Sequence, residues 1–203
     1  FSAIHERGLK LEAIYITNTH PDHIAALDVV KERFPGVPVN VGRGELFDGA
    51  QPLDEGWTVT LGALHIEARE TSGHARCGIT YVITGLEQPL AIVGDAIFAG
   101  SMGGGAVSWE NALNSNRRRI FPLPDNTVLC PGHGPLTTRE QLKDYRAMLV
   151  TARDRLAKLV KEGKTEADVL AAKPFADLDK TWALNDQASQ NFIRVVYNSL
   201  KKT

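Results

Sequence analysis

Leu11-Glu12-Ala13-Ile14-Tyr15-Ile16-Thr17-Asn18-Thr19-His20-Pro21-Asp22-His23 is the stretch from which the rest of this chain can be read. Apolar and β-branched residues dominate as far as Thr17, a composition that predicts a buried strand. Two imidazoles and a carboxylate follow at once: His20, Asp22 and His23. A strand that stops there presents them on the loop beyond its C-terminal end, where open α/β sheets place their chemistry. Packing alone does not explain polar groups gathered at such a point, because each would need a partner once buried.

Three later stretches repeat the arrangement. Thr71-Ser72-Gly73-His74, Val93-Gly94-Asp95 and Cys130-Pro131-Gly132-His133-Gly134 each end a strand-like run with glycine beside His or Asp. Glycine lets the backbone turn tightly and come close to an ion. Neutral His and ionised Asp are usual ligands of zinc, and they also suit iron or manganese. His20, Asp22, His23, His74, Asp95 and His133 are therefore the candidate metal ligands.

Taken together, these motifs make the chain resemble the metallo-β-lactamase superfamily. Its hallmark is His-x-His-x-Asp-His, a later His after Gly, a bridging Asp in a Gly-Asp pair, and a final His in a Gly-His-Gly type loop. Gly94-Asp95-Ala96-Ile97-Phe98-Ala99-Gly100-Ser101 and Pro131-Gly132-His133-Gly134-Pro135 are similar to its glyoxalase II-like branch. The resemblance covers residues 11–138 and implies an α/β protein with the αββα sandwich. It places a metal-binding domain over residues 1–137 and a helical extension over 138–203. Relatives carry several strands before the first metal-binding strand. Those strands are missing here, so the expected first sheet is incomplete at its N-terminal side.

By the same resemblance, Asp22, His23 and His133 hold one ion, residue 18, His20 and His74 hold the other, and Asp95 bridges. The chain departs from the pattern at Asn18, where the family has its first His. An amide oxygen is a poor substitute for imidazole on zinc. The mono-zinc, carbapenem-hydrolysing subclass also carries Asn there and works with one ion. The set that includes His23 is complete and the set that includes His20 is one donor short, so the former is expected to bind more tightly.

The implied activity is that of a hydrolase using one or two zinc ions, with iron or manganese as alternatives. A metal-bound hydroxide would cleave an acyl bond (thioester, lactone or β-lactam) in a small-molecule substrate, and Asp22 would orient the water. Two other classes compete. A mono-iron, persulfide dioxygenase-like oxidoreductase would need a His at position 18. A catalytically decayed binding protein would show little metal. The helical tail lacks the glutathione-contacting pattern of a true glyoxalase II, and Gly132-His133-Gly134 does not form a nucleophile elbow.

With 203 residues there is room for one α/β domain and a small extension. A net charge of −1 argues against nucleic acid or anionic membrane as a partner. No apolar run reaches the length of a membrane span. Cys77 and Cys130 are too few for a disulfide framework and read as small buried residues in a reducing compartment, the cytoplasm. His5 and His65 have no clustered partners and read as structural or surface residues.

Helical spacing of Ile24, Leu27 and Phe34 predicts a helix stopped by Pro35-Gly36. Strands are expected over 37–41, 57–61, 64–70, 79–84 and 90–93, and a helix over 109–120. Gly100 to Gly105 reads as an active-site wall, and Arg117-Arg118-Arg119 as a solvated helix end. A stripe of Leu142, Tyr145, Leu149, Ala152, Leu156 and Leu159 predicts a long helix reaching Glu162. Helices at 165–173 and 186–200 follow. The tail is expected to pack on the core or on a second copy of the chain.

Overall fold

The computed structural model describes residues 1–183 and 185–201. A short helix, Ser2–Glu6 (α1), precedes the first strand, Ile14–Tyr15 (β1). That strand is much shorter than the apolar run predicts. Within the first sheet β1 has a single neighbour, the parallel strand Val39–Gly42 (β2). Just beyond it Ile16 N still donates to Asn40 O of β2 at 2.9 Å, but the carbonyls are captured from β6: the Tyr81 hydroxyl donates to Ile16 O at 2.7 Å, and Ile79 N donates to Thr17 O at 2.7 Å. Burial pushes the Tyr81 phenol well above its ordinary pKa, which keeps it a donor.

The helix predicted to begin at Ile24 is two helices, Pro21–Ile24 (α2) and Leu27–Arg33 (α3). Pro21 takes the first helical position, where its fixed φ is favourable and its missing N–H costs nothing. Asp22 and His23 therefore ride on a helical turn and not on an irregular loop. Ala50–Leu53 (β3) completes a parallel sheet of order β1-β2-β3. Its Pro52 hides it from a strand search, and an edge position is where a sheet tolerates proline.

The second sheet has the order β4-β5-β6-β7-β8-β9. Thr58–Leu61 (β4), Leu64–Glu70 (β5), Ile79–Thr84 (β6) and Leu90–Gly94 (β7) are antiparallel neighbours. Then Trp109–Ser115 (α4) and a π-helical turn, Asn116–Ile120, carry the chain to Val128–Pro131 (β8), which pairs parallel to β7. The helix predicted over 109–120 thus changes its winding at Asn116. The two-residue strand Thr137–Thr138 (β9) is too short to show a period.

Three apolar layers follow from the alternation of side chains along these strands. Ile14, Ile16, Val39 and Val41 pack with Ile24 and Leu27 outside the first sheet. Tyr15, Leu53, Trp57, Ala68, Ile79 and Tyr81 pack between the sheets. Val82, Ala91, Val93 and Leu129 pack with Ile120 and Leu123 outside the second. Helix, sheet, sheet and helix are stacked in that order: the αββα sandwich.

The chain divides into compact units at Phe1–Leu142 and Lys143–Thr203. The second holds most of Arg139–Lys161 (α5), then Glu166–Ala172 (α6), Asp179–Trp182 (α7) and Asp186–Leu200 (α8). Thr165 caps α6 with a full capping box to Asp168. Ala152, Leu156, Val169, Phe175, Ile193 and Tyr197 form this unit's core. Of the predicted α5 stripe, Leu142, Ala152 and Leu156 are buried, while Tyr145, Leu149 and Leu159 are half-buried. Met148 is buried as well and lies outside the stripe.

Candidate metal centre

All six sequence-predicted ligands meet in one place, although they come from four segments of the chain. Ligand atoms of His20, His74 and Asp95 lie within 4.8 Å of one another, and so do those of Asp22, His23 and His133. Asp95 sits between the two groups: its carboxylate is 3.2 Å from His74 Nε2, 3.3 Å from His23 Nε2 and 3.6 Å from His133 Nε2. On the other side, Asp22 Oδ2 is 2.9 Å from His133 Nε2.

Local structure orients two of the rings, His74 and His23. His74 Nδ1 lies 3.0 Å from Gly104 O. A carbonyl only accepts, so Nδ1 carries the hydrogen and Nε2 points its lone pair inward. His23 Nδ1 is 3.1 Å from Thr17 Oγ1, a contact that orients the ring with Nε2 towards Asp95. Gly94 has φ +51, and a Cβ there would come within 2.7 Å of the Thr17 side chain, so only glycine permits this approach. Helix α4 and its π turn clip two ligand loops: Ser115 Oγ donates to Ser72 O at 3.0 Å, and Asn116 Nδ2 donates to Ala96 O at 2.9 Å. Thr17, Gly104, Ser115 and Asn116 carry no signal of these roles in the sequence.

Asn18 is buried and serves the backbone. Its amide oxygen accepts from His20 N at 3.1 Å, an Asx turn that shapes the ligand loop. Its Nδ2 lies 3.4 Å from His23 Nδ1. Behind it, a cavity of about 10 Å³ is lined by Asn18, His74 and Asp95.

The donor set asks for a cation. Among the described residues, His23 Nε2 and Asp95 Oδ1 are buried side-chain atoms with no hydrogen-bond partner, yet they stand 3.3 Å apart. Two buried polar atoms left facing each other carry a desolvation cost that a metal ion between them would remove. The Asp22 carboxyl is held below the usual carboxylate range, first by backbone hydrogen bonding and then by His23 and His133. It is ionised at neutral pH, as a ligand must be. The residues present fit a metal.

The centre is lopsided towards solvent. The side chains of Asp22 and His133 are 53% and 56% exposed, those of Asp95 and His23 only 7% and 11%. A cleft of about 400 Å³ opens beside His20, with Ile24, Leu46, Phe47 and Val107 among its walls. The glycine-rich stretch is also a wall: a Cβ on Gly103 would strike Asp95 O, and Gly104 holds His74. His65 pairs with Thr60 on the surface, and His5 lies exposed in α1. Arg117 and Arg118 are exposed, while Arg119 meets Glu55 at 3.1 Å. Cys77 and Cys130 are free thiols. No helix among the described residues is long and apolar enough to cross a membrane.

Known proteins share this architecture. A probable metallo-hydrolase of Bacillus subtilis, YqgX, is 33% identical over 160 residues, which are 66% of this chain and 74% of that protein. The mitochondrial persulfide dioxygenase ETHE1 of Mus musculus is 30% identical over 64% of this chain and 52% of its own length. A hydroxyacylglutathione hydrolase of Fuscovulum blasticum is 28% identical over 86% of this chain and 72% of its own. The chain thus spans about half to three quarters of these relatives. The profile described as "Metallo-beta-lactamase superfamily" matches residues 1–133, the span that contains all six convergent candidate ligands. With the αββα sandwich and its strand-end His and Asp residues, that match makes this chain a member of the metallo-beta-lactamase superfamily.

Proposed function

We propose that this chain is a metal-dependent hydrolase that cleaves an acyl bond in a small molecule. The observation that carries the reading is the pair of buried, partnerless atoms, His23 Nε2 and Asp95 Oδ1, facing each other inside six convergent ligands. Asp22, His23 and His133 would hold one ion, His20 and His74 a second, with Asp95 between. A bound zinc, iron or manganese ion supplies Lewis acidity and lowers the pKa of a bound water towards ~7.

The chain's own groups supply the rest. Asp22 is ionised and faces solvent, so its carboxylate accepts a hydrogen bond from an entering water and orients it. Thr17 and Gly104 keep the His23 and His74 rings from turning. The cleft beside His20 has room for an apolar acyl substituent. Thioesters, lactones and β-lactams all fit this chemistry, and the hydroxyacylglutathione hydrolase relative favours testing thioesters first.

Metal analysis of the purified chain, with a hydrolysis panel of those three acyl classes, tests the proposal. The native chain should hold metal and hydrolyse at least one class, and His23→Ala should lose the ion held with Asp22 and His133 and, with it, hydrolysis. Metal-free protein inert on the whole panel after zinc, iron and manganese loading would refute it. A second reading, iron-dependent persulfide oxidation, draws on the 30% identity to the persulfide dioxygenase. Asn18 stands against it, and oxygen uptake with an iron-loaded chain and glutathione persulfide would decide.

A further inference from the structure

Glu45 ends the 3-10 turn Arg43–Glu45 that follows β2, and both of its carboxylate oxygens are committed. Oε2 accepts from the Thr19 backbone N–H at 2.7 Å and from the Thr19 hydroxyl at 3.0 Å. Oε1 accepts from the Cys77 backbone N–H at 3.2 Å. Thr19 adjoins His20, and Cys77 lies just past His74. One half-buried side chain thus ties together the two segments that deliver His20 and His74, whose ring nitrogens are 3.0 Å apart.

The backbone is shaped for this reach. A Cβ on Gly42 would come within 2.2 Å of Cys77 O, and one on Gly44 within 2.8 Å of Cys77 Cβ. Only glycines let the turn lie so close against the His74 segment. On its outer side the turn is fixed by Arg43, which forks onto Asp54 at 2.6 and 2.7 Å. The demand at Glu45 is for an acceptor at both oxygens, because three donors converge on them. A neutral amide would turn an NH₂ towards one of those donors.

We propose that Glu45 is a positioning residue of the metal centre: by holding Thr19 and Cys77 on one carboxylate, it sets the spacing of His20 and His74 and so the metal affinity of that half. This rests on the reading that His20 and His74 hold an ion. Asn18 sharpens the dependence. With its amide oxygen turned to the His20 backbone, this half relies on two imidazoles and Asp95, and a donor-poor site depends more on prearranged ligands.

The test is zinc titration into the metal-stripped full chain in competition with a chromophoric chelator, repeated with cobalt(II) to read its visible absorption. His74→Ala and His23→Ala mark which binding step belongs to which half. Glu45→Ala should weaken the His74-dependent step about ten-fold or more, the usual scale for a residue that orients a ligand. It should leave the His23-dependent step within about two-fold. Glu45→Gln keeps one acceptor and a similar shape, so it should give a smaller loss in the same step and an altered cobalt spectrum. If Glu45→Ala does not fold, Glu45→Gln decides alone. An unchanged His74-dependent step in the Glu45 variants overturns the proposal while leaving the metal-centre reading standing. Equal weakening of both steps overturns it too, since that is a general loss of structure. A His74→Ala variant that binds zinc as the native chain does removes the underlying reading, and the proposal with it.

Discussion

Gly132→Ala should damage the metal centre through a single methyl group. A Cβ at this position would lie 2.3 Å from Asp95 Oδ1 and 2.6 Å from His23 Cε1. Ordinary contact begins near 3.4 Å, so the carboxylate oxygen would have to retreat by about 1 Å. Neither group has slack. Thr17 holds the other side of the His23 ring, and Gly103 packs against the Asp95 carbonyl. A ligand displaced by ~1 Å leaves the site too loose, so metal affinity should fall on the order of 10–100-fold. Overpacking should also lower the stability of the metal-free chain by about 1–3 kcal/mol. Gly134→Ala is the control, two residues along. Its φ of +82 imposes backbone strain of about 1–2 kcal/mol, but nothing lies within 4 Å of the added Cβ. It should lose stability and keep its metal affinity. Chelator competition for zinc and urea unfolding of the metal-free proteins measure the two quantities separately. Native zinc affinity in Gly132→Ala would refute the placing of an ion between His23 and Asp95.

Asn18→His should raise metal content towards two ions per chain, because it adds an imidazole beside the cavity lined by Asn18, His74 and Asp95; two equally tight ions in the native chain, unchanged in the variant, would refute the asymmetry. Arg155 holds the Asp177 carboxyl down to about 2, through hydrogen bonds at 2.5 and 2.8 Å. A depressed folded pKa gives stability that is complete above the ordinary carboxylate value and is lost as pH falls through the folded one. Denaturation midpoints of the native chain should therefore approach those of Asp177→Asn between about pH 4 and pH 2, and a constant gap across that window would count against it. Leu156→Ala empties a site with no solvent exposure in the second unit's core and should cost about 2–5 kcal/mol by urea unfolding; a loss below ~1 kcal/mol would mean that the core closes over the gap.

The ligand segments were legible because strand ends, glycines and His or Asp residues leave a mark in one dimension. The strands flanking them, at 64–70, 79–84 and 90–94, were legible from apolar composition. What stayed hidden depends on distant partners. Nothing near Glu45 announces that its carboxylate reaches Thr19 and Cys77. Thr17 reads as the end of a strand and becomes the rest for the His23 ring. Ile16 and Thr17 read as sheet; Ile16 N still donates to Asn40 O on β2, while the carbonyls of both residues are held from β6 across the sandwich. The helix at 109–120 is read from Trp109, Leu113 and Ile120 alone, and its change of winding at Asn116 coincides with the hydrogen bonds of Ser115 and Asn116 to neighbouring loops. The expected loop at Asp22 and His23 is a helical turn because Pro21 starts one.

The unequal exposure of the candidate ligands gives the centre a front and a back. Asp95 and His23 form the back, closed off by protein, and Asp22 and His133 form the front. Asp22 and His133 therefore meet solvent directly, while the cleft beside His20 opens a second approach. A chelator arriving from the front meets Asp22 and His133 before the enclosed pair, so His23 and Asp95 should be the last of these four to release an ion.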